Sequence, residues 1–560
     1  MTAMTPAPLT ATTPSVMATG AATPGLSHAD HSATSATRPP VVTIPRHYNA
    51  AHDLLERNAT RPNKAAFIDS TSNEKLGHTL TYGELATQSH QFANALRSMG
   101  FAPESRVMLC ALDTTEWPVA FLGCMLAGVV PVAANTLLTT KDFDFMLRDS
   151  RAQGLIVSKT LLPAFNGLIG QISTLKTVIV CGTAKDEVSE EKYGFANVIY
   201  AQSATRNVAD TCADDAAFWL YSSGSTGTPK GTVHLHSHLI QTAELYGRAV
   251  LGIVESDVVY SAAKFFFAYG LGNALSFPMA VGATTVLLAG RPTTADVFGI
   301  LSTYKPTIFY SVPTLYSALL ADPARPAKTD LSLRVCTSAG EALPAEIGKK
   351  WTTEYGVEIL DGIGSTEMLH IFLSNRPGRV RYGTTGQAVP GYQLRIIGDD
   401  GQECQTGEIG ELHVQGPTSA LMYWNNRAKT KATFAGEWTK SGDKYTMDEG
   451  GYYTYGGRTD DMLKVGGVYV SPFEVEASLM THPAILEAAV IGAPDVDELI
   501  KPKAYVVFKT GQTATQDELK NHVKAQLAPY KYPRWIEVMS ELPKTATGKI
   551  QRFKLRAALR

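Results

Sequence analysis

The sequence predicts an α/β fold: a large N-terminal domain of packed α/β subdomains with a small β-barrel-like part, then a small α+β C-terminal domain. Three observations predict it. Short apolar runs that read as strands alternate with helical patterns from about Tyr48 onward, the signature of a parallel sheet covered by helices. After about Gly386 the pattern turns to short strands separated by turns, as in residues 392–397 and 410–414. A second change comes at Gly456-Gly457-Arg458-Thr459-Asp460-Asp461, and a fresh helix start follows at Ser471-Pro472-Phe473-Glu474.

The elements follow in order. Residues 48–58 and 82–98 carry apolar positions at helical spacing, and the second run stops before Gly100, as helices often do. Residues 106–112 read as a strand and 117–127 as a helix. Apolar runs at 155–157, 178–180, 216–220, 284–288 and 308–310 read as further strands, and 237–250 as a helix. At the later helix start Ser471 caps, Pro472 takes the first turn and Glu474 closes a capping box. The expected division is a disordered tail over residues 1–42, an N-terminal domain over 43–457 and a C-terminal domain over 458–560. The tail is rich in Ala, Thr, Ser and Pro. It has neither the arginines of a transit peptide nor the apolar core of a secretory signal, and Met4 and Met17 are alternative starts.

Composition excludes several classes. The chain has 560 residues, 44% hydrophobic and 18% charged, with a formal net charge of −2. A nucleic-acid binder would show a basic excess, and no apolar run is long enough to span a membrane. The six cysteines are scattered, which fits reduced thiols in a cytoplasm and neither a disulfide framework nor a zinc site.

The segment Tyr221-Ser222-Ser223-Gly224-Ser225-Thr226-Gly227-Thr228-Pro229-Lys230-Gly231 packs hydroxyls, glycines and a lysine between a buried strand and a helix. Glycines let backbone N–H groups approach an anion, hydroxyls add donors and lysine adds charge, which suits nucleotide phosphates. It lacks the spacing of the common phosphate loop. Asp361-Gly362-Ile363-Gly364-Ser365-Thr366-Glu367 reads as a loop at the end of a strand over 357–360. There Ser365 and Thr366 can bind phosphate and Glu367 can hold Mg²⁺.

The first loop resembles the signature of the adenylate-forming superfamily, and further motifs in order extend the resemblance from about Tyr48 to the end. The resemblance implies a set of roles. Ser222, Ser223, Gly224, Ser225, Thr226, Gly227 and Lys230 grip ATP, with Asp361, Gly362, Ser365 and Thr366. Gly340 and Glu341, in Ser338-Ala339-Gly340-Glu341, lie along adenine. Asp443 and Arg458 reach the ribose. Lys549, with Lys230, Thr366 and Glu367, carries catalysis. Asp460 is a hinge about which the mobile C-terminal domain turns, bringing Lys464, Gly466 and Gly467 to CoA. A Gly-Gly hairpin turn is the other reading of that last stretch.

The segment from Lys264 to Asn273, with Gly364 and residues 368–371, is similar to the benzoate-CoA ligase branch. That similarity implies an acyl pocket of Ala268, Tyr269, Ala339, Gly364, His370 and Ile371. At least one of Phe265, Phe266 and Phe267 reads as core in an aromatic-rich strand. His234, His236 and His238 alternate as on one face of a strand; a structural histidine near the loop is expected, a metal site the lesser alternative. The basic end over 549–556 reads as a solvated helix, some of whose charges could meet a CoA phosphate.

The expected activity is ATP-, Mg²⁺- and CoA-dependent conversion of benzoate to its acyl-adenylate and then to benzoyl-CoA, with no tightly bound prosthetic group. Activation of 4-hydroxybenzoate or aminobenzoate, and loading of a carrier protein, are the alternatives. No nucleic acid or membrane is an expected partner. Because Lys549 must keep its charge, acetylation there is an expected off switch, which brings in a lysine acetyltransferase and deacetylase; a homodimer is left open.

Overall fold

The computed structural model describes residues 30–31, 40–70, 78–183, 192–222, 229–459, 461–465, 468–496, 499–544 and 550–559. Within them, two large mixed sheets form the body of the molecule. The eight-stranded sheet has a parallel core in the order Ala216–Ser222, Val130–Ala133, Arg106–Cys110, Gly154–Ser158, Thr177–Cys181 and Tyr193–Gly194. Lys230–Leu235 and then Met422–Tyr423 join one edge antiparallel. In the nine-stranded sheet Ala65–Asp69, Thr284–Leu287, Val258–Ser261, Ile308–Ser311, Val335–Ser338 and Ile359–Gly364 run parallel. Its central strands are buried end to end, as runs covered on both faces must be.

The helices explain the burial. Tyr82–Ser98 starts with a capping box between Thr81 and Glu84 and buries Leu85, Phe92 and Leu96 on one face. Glu116–Leu126 is buried from Trp117 to Leu126, as a helix between layers must be. Its Trp117 ring stacks on Phe265 at 4.5 Å between centroids, and Phe265 meets Phe67 at 6.2 Å, so these rings join the sheets' layers. Phe265 is therefore core, as expected of at least one of the three, and Phe266 is buried with it. The segment is not a strand, however: Val258–Ser261 ends earlier and Ala268–Leu271 is helical.

Residues 392–397 and 410–414 appear as the antiparallel strands Gln393–Ile397 and Gly410–Gln415, followed by Trp438–Met447 and Tyr453–Arg458. The boundary expected between 457 and 458 thus falls inside the last of these strands. Beyond it, Ile485–Pro494, Ile500–Phe508 and Trp535–Val538 form a three-stranded sheet, packed with Pro472–Met480 and Gln516–Gln526. Ser471 caps the first of these helices, accepting from Glu474 N at 3.2 Å. The Glu474 carboxylate, expected to reach back to the cap, instead binds Lys531 Nζ at 2.6 Å.

Three further departures bear on function. The helix expected over 237–250 begins at His236 and opens into a π-helical stretch, Ala243–Arg248. A second π-helical stretch, Gly272–Ser276, follows Ala268–Leu271. In the expected tail, Asp30–His31 pairs antiparallel with Val42–Thr43, so that part of it is extended and bonded. No described helix is long and apolar enough to cross a membrane.

Candidate active site

The described residues of the two phosphate motifs lie where strands of the two large sheets end, the usual place for ligands in open α/β sheets. Ser222 ends one strand and Lys230 opens the next, and the two are paired across the antiparallel ladder. Residues 223–228 join them; Ser223, Gly224, Ser225, Thr226 and Gly227 lie outside the described residues. Lys230 Nζ lies 4.6 Å from the centre of the Tyr423 ring. Burial lowers its pKa, and Glu367 offsets part of that shift.

Tyr423 also donates its hydroxyl to Glu367 Oε1 at 2.6 Å. One aromatic side chain thus touches the cation and the carboxylate on which the phosphate chemistry is expected to rest. The strand pairing of Thr232 with Tyr423 places it there. Nothing local in the sequence marks Tyr423, because its partner is 56 residues away. The backbone that carries the carboxylate is held from behind: Ala420 N donates to Glu367 O at 2.8 Å, and His234 Nε2 donates to Thr366 O at 2.8 Å.

The acidic motif is not wholly a loop. Asp361, Gly362 and Gly364 sit inside the strand Ile359–Gly364, extended by antiparallel pairing with Ile371–Ser374. Ser365 turns the chain, accepting from Met368 N at 3.2 Å. Asp361 is buried beside Ser338, and burial raises its pKa well above the usual carboxylate range. Asp361 Oδ1, Ser338 Oγ and Ser222 Oγ are buried without a hydrogen-bond partner among the described residues. Buried polar atoms are rarely left so, and a polar ligand is one way to satisfy them. Gly340 follows Ser338 with φ +93°, a conformation glycine takes without strain.

Asp443 and Arg458 face each other on paired strands, with Arg458 Nη1 3.2 Å from Asp443 Oδ1. Gly442 between them has φ +73°, and a Cβ there would lie 2.9 Å from the guanidinium.

The acyl side is neutral and tightly packed. Ala268, Tyr269, Ala339 and Ile371 share one apolar cluster. The Tyr269 hydroxyl bonds Thr337 Oγ1 at 2.5 Å, and its ring centre lies 5.6 Å from that of His370. His370 is buried, and its Nε2 donates towards Tyr269 O at 3.2 Å and Asn273 Oδ1 at 3.1 Å. Burial pushes its pKa down to about 3, so the imidazole is neutral. Phe277 and Tyr246 close around it with ring centres at 4.5 and 5.4 Å. Asn273 and Tyr246 stand on the two π-helical stretches, a widening often found at functional sites. Space is set by glycines: a Cβ at Gly364 would meet His370 O at 2.5 Å, and one at Gly272 would meet His370 Cδ2 at 2.3 Å. Leu369 beside them is left-handed at φ 66°, a strained setting for a branched residue.

The histidine run is not one strand face. His234 is on Lys230–Leu235, whereas His236 and His238 begin the following helix. His236 Nδ1 accepts from Ala50 N at 3.1 Å, a structural role, while His234 and His238 approach at 3.1 Å between their Nδ1 atoms.

The C-terminal unit meets this site at Ile550, whose N–H donates to Glu341 Oε1 at 3.1 Å. Lys549, the neighbouring residue, lies outside the described residues, as do Asp460, Gly466 and Gly467; of Lys464 only the backbone, in Leu463–Val465, is described. That strand pairs antiparallel with Val468–Val470. The basic end is not simply solvated. Arg552 binds Glu476 with Nη2 at 2.8 and 2.7 Å, and Arg556 binds Asp461 at 2.6 Å. A cavity of about 1080 Å³ between the C-terminal unit and the body is lined by Ile347, Tyr455, Phe473 and Met480, and by none of the expected site residues. It is the gap where two separately packed units meet.

Comparison with known proteins gives the same region a family. The model of the AMP-binding enzyme family matches residues 54–424, and that of the AMP-binding enzyme C-terminal domain matches 474–549. The chain is 56% identical to a benzoate–CoA ligase of Thauera aromatica over 540 residues, 95% of this chain and 99% of the relative. Among solved structures, a benzoate CoA ligase from Burkholderia xenovorans aligns with TM-score 0.84 at 51% identity, covering 91% of this chain and 100% of that one. An anthranilate CoA ligase in complex with anthranoyl-AMP aligns with TM-score 0.87 at 43% identity, covering 92% and 98%.

Proposed function

Because the chain belongs to the AMP-binding enzyme family, in the benzoate-CoA ligase branch of the adenylate-forming superfamily, we propose that it is an ATP- and CoA-dependent benzoate–CoA ligase. The observation that supports the substrate is the neutral aromatic wall around Tyr269 and His370, beside a charged nucleotide side. A flat apolar ring packs well on such a wall, and no ionised side chain among the described residues of that wall is placed to repel or demand a ring substituent.

A carboxylate is a poor electrophile, and linking it to AMP provides a good leaving group. In the first half-reaction a carboxylate oxygen forms a bond to the α-phosphorus of ATP as the bond to pyrophosphate breaks. Two anions must approach, so cationic groups aimed at the transferring phosphoryl lower the barrier. We assign Lys230, which lies over the Tyr423 ring, to the phosphates, and Lys549, whose neighbour Ile550 donates to Glu341, to the reacting centre. Asp443 accepts from the ribose hydroxyls beside Arg458. Buried Asp361 Oδ1 and Ser338 Oγ offer partners to the adenine and ribose edge. The donor set at Glu367 and Thr366, one carboxylate and a hydroxyl, is all oxygen and fits Mg²⁺, which favours one or two carboxylates together with phosphate and water. When bound, Mg²⁺ supplies charge neutralisation at the departing pyrophosphate.

In the second half-reaction the CoA thiol forms a bond to the acyl carbon, AMP leaves and the thiol proton is lost. The C-terminal unit turns about Asp460 between the steps, withdrawing Lys549 and presenting Lys464, Gly466 and Gly467 to the pantetheine arm.

The test is a panel of aromatic and short aliphatic acids scored by CoA-dependent AMP release. Benzoate should give the highest kcat/KM. A clear preference for 4-hydroxybenzoate or aminobenzoate would move the assignment to a neighbouring ligase, and preference for an aliphatic acid would overturn it.

A further inference from the structure

The histidine pair behind the nucleotide side has a wiring that the reaction above leaves unused. His234 and His238 are buried, and the His234 ring stacks on Phe218 with centres 5.2 Å apart. His234 Nε2 faces Thr366 O at 2.8 Å, and its Nδ1 faces His238 Nδ1 at 3.1 Å. A carbonyl oxygen only accepts, so Nε2 of His234 carries a proton. Even one buried imidazolium with no carboxylate beside it would be costly, so His234 is neutral, its Nδ1 is bare, and His238 supplies the proton between them. The 3.4 Å approach of Leu235 N to His238 Nδ1 then points at a protonated nitrogen and is no hydrogen bond. One tautomer of the pair follows.

We propose that His234, its tautomer set by His238, is a positioning residue for the Thr366–Glu367 peptide. It fixes from beneath the backbone that carries the Thr366 hydroxyl and the Glu367 carboxylate, while Tyr423 fixes that carboxylate from the side. The inference rests on the proposed nucleotide role of Thr366 and Glu367. Outer groups that orient a metal-binding side chain commonly affect metal affinity about 10–100-fold. The bond spans 132 residues, from a strand of one sheet to the turn after a strand of the other, so it also fixes the two sheet ends relative to each other.

The experiment uses the full chain, labelled with nitrogen-15 histidine, and the variants His234→Leu and His234→Gln. Leu removes the donor; Gln keeps an N–H able to reach Thr366 O. Nitrogen-15 spectra of the unaltered protein should show His234 protonated on Nε2 and bare on Nδ1. Binding of Mn²⁺ with ATP, read by electron paramagnetic resonance, should weaken about 10–100-fold in His234→Leu and return to within about 3-fold in His234→Gln. Thioester formation from supplied benzoyl-adenylate should not change in either. A His234 protonated on Nδ1 overturns the proposal, and this is read even if the Leu variant does not fold. So does unchanged Mn²⁺ binding in His234→Leu, or equal loss in both variants. A failure of the ligase reading shows separately, as absent acid-dependent pyrophosphate exchange in the unaltered protein with the His234 proton still on Nε2.

Discussion

The acyl side and the nucleotide side of this site are built on opposite principles. The acyl side is closed and neutral: His370 is wrapped by three aromatic rings and its Nε2 is bonded to Tyr269 O and Asn273 Oδ1, while its Nδ1 and Asn273 Nδ2 are buried without a partner among the described residues. The nucleotide side collects charge, and it too holds buried polar atoms without described partners, at Ser222, Ser338 and Asp361. Selectivity for a small apolar ring needs shape, which a rigid wall supplies. Transfer between two anions needs charge and a ligand-completed network, which a wall would obstruct.

The contrast can be broken most severely from the charged side. Lys549→Ala should lower benzoate-dependent pyrophosphate exchange by about 10²–10³-fold or more, the scale of losing one aimed transition-state group. Thioester formation from supplied benzoyl-adenylate should be spared. Equal loss in both half-reactions would remove the division of labour between the two conformations.

On the neutral side, Gly364→Ala places a methyl group 2.5 Å from His370 O, a backbone atom that cannot step aside. The expected outcome is a fall in kcat/KM for benzoate of about 10–200-fold, the worth of a methylene-sized misfit in such a pocket. The KM for ATP should hold. Steady-state kinetics with each substrate varied checks this, and a matched rise in the KM for ATP would show that the two sides are not separable.

Similar in size to the second is the link at Tyr423. Tyr423→Phe removes a hydrogen bond to the Glu367 carboxylate, worth about 1.5–3 kcal/mol, so adenylation should slow by about 10–100-fold and need more Mg²⁺. A variant with unaltered Mg²⁺ dependence would make Tyr423 a packing residue only.

The smallest effect is on stability. Burial holds His236 to about 4 and His370 to about 3, against 6.5 for an ordinary histidine. The unfolded chain binds protons near pH 6.5 that these folded residues refuse, so stability is full above 6.5 and falls as pH drops towards 4. Between pH 7.5 and 5.5 each should cost about 1 kcal/mol, seen as a lower urea midpoint. A midpoint that stays level over that range would mean that these rings are protonated in the fold.

What could be read ahead of the structure was whatever is local. The helix Tyr82–Ser98 has its cap, its apolar face and its stop within one segment, and it appears with those bounds. The glycine-rich and acidic motifs were legible because phosphate chemistry places several needed groups side by side. The rest depends on register. Asp361 reads as a loop residue until the antiparallel Ile371–Ser374 strand extends its own strand over it. Glu474 fits a capping box until Lys531, 57 residues on, takes its carboxylate. Arg552 reads as a surface charge until Glu476 is found beneath it. His234 and Tyr423 reach Thr366 and Glu367 across 132 and 56 residues, beyond any periodic pattern.

The central claim is that this site makes an acyl-adenylate before CoA takes part. Its most direct test is exchange of labelled pyrophosphate into ATP without CoA. Exchange should require benzoate and proceed without the thiol. Exchange that occurs only when CoA is present, or that ignores the acid, would contradict it.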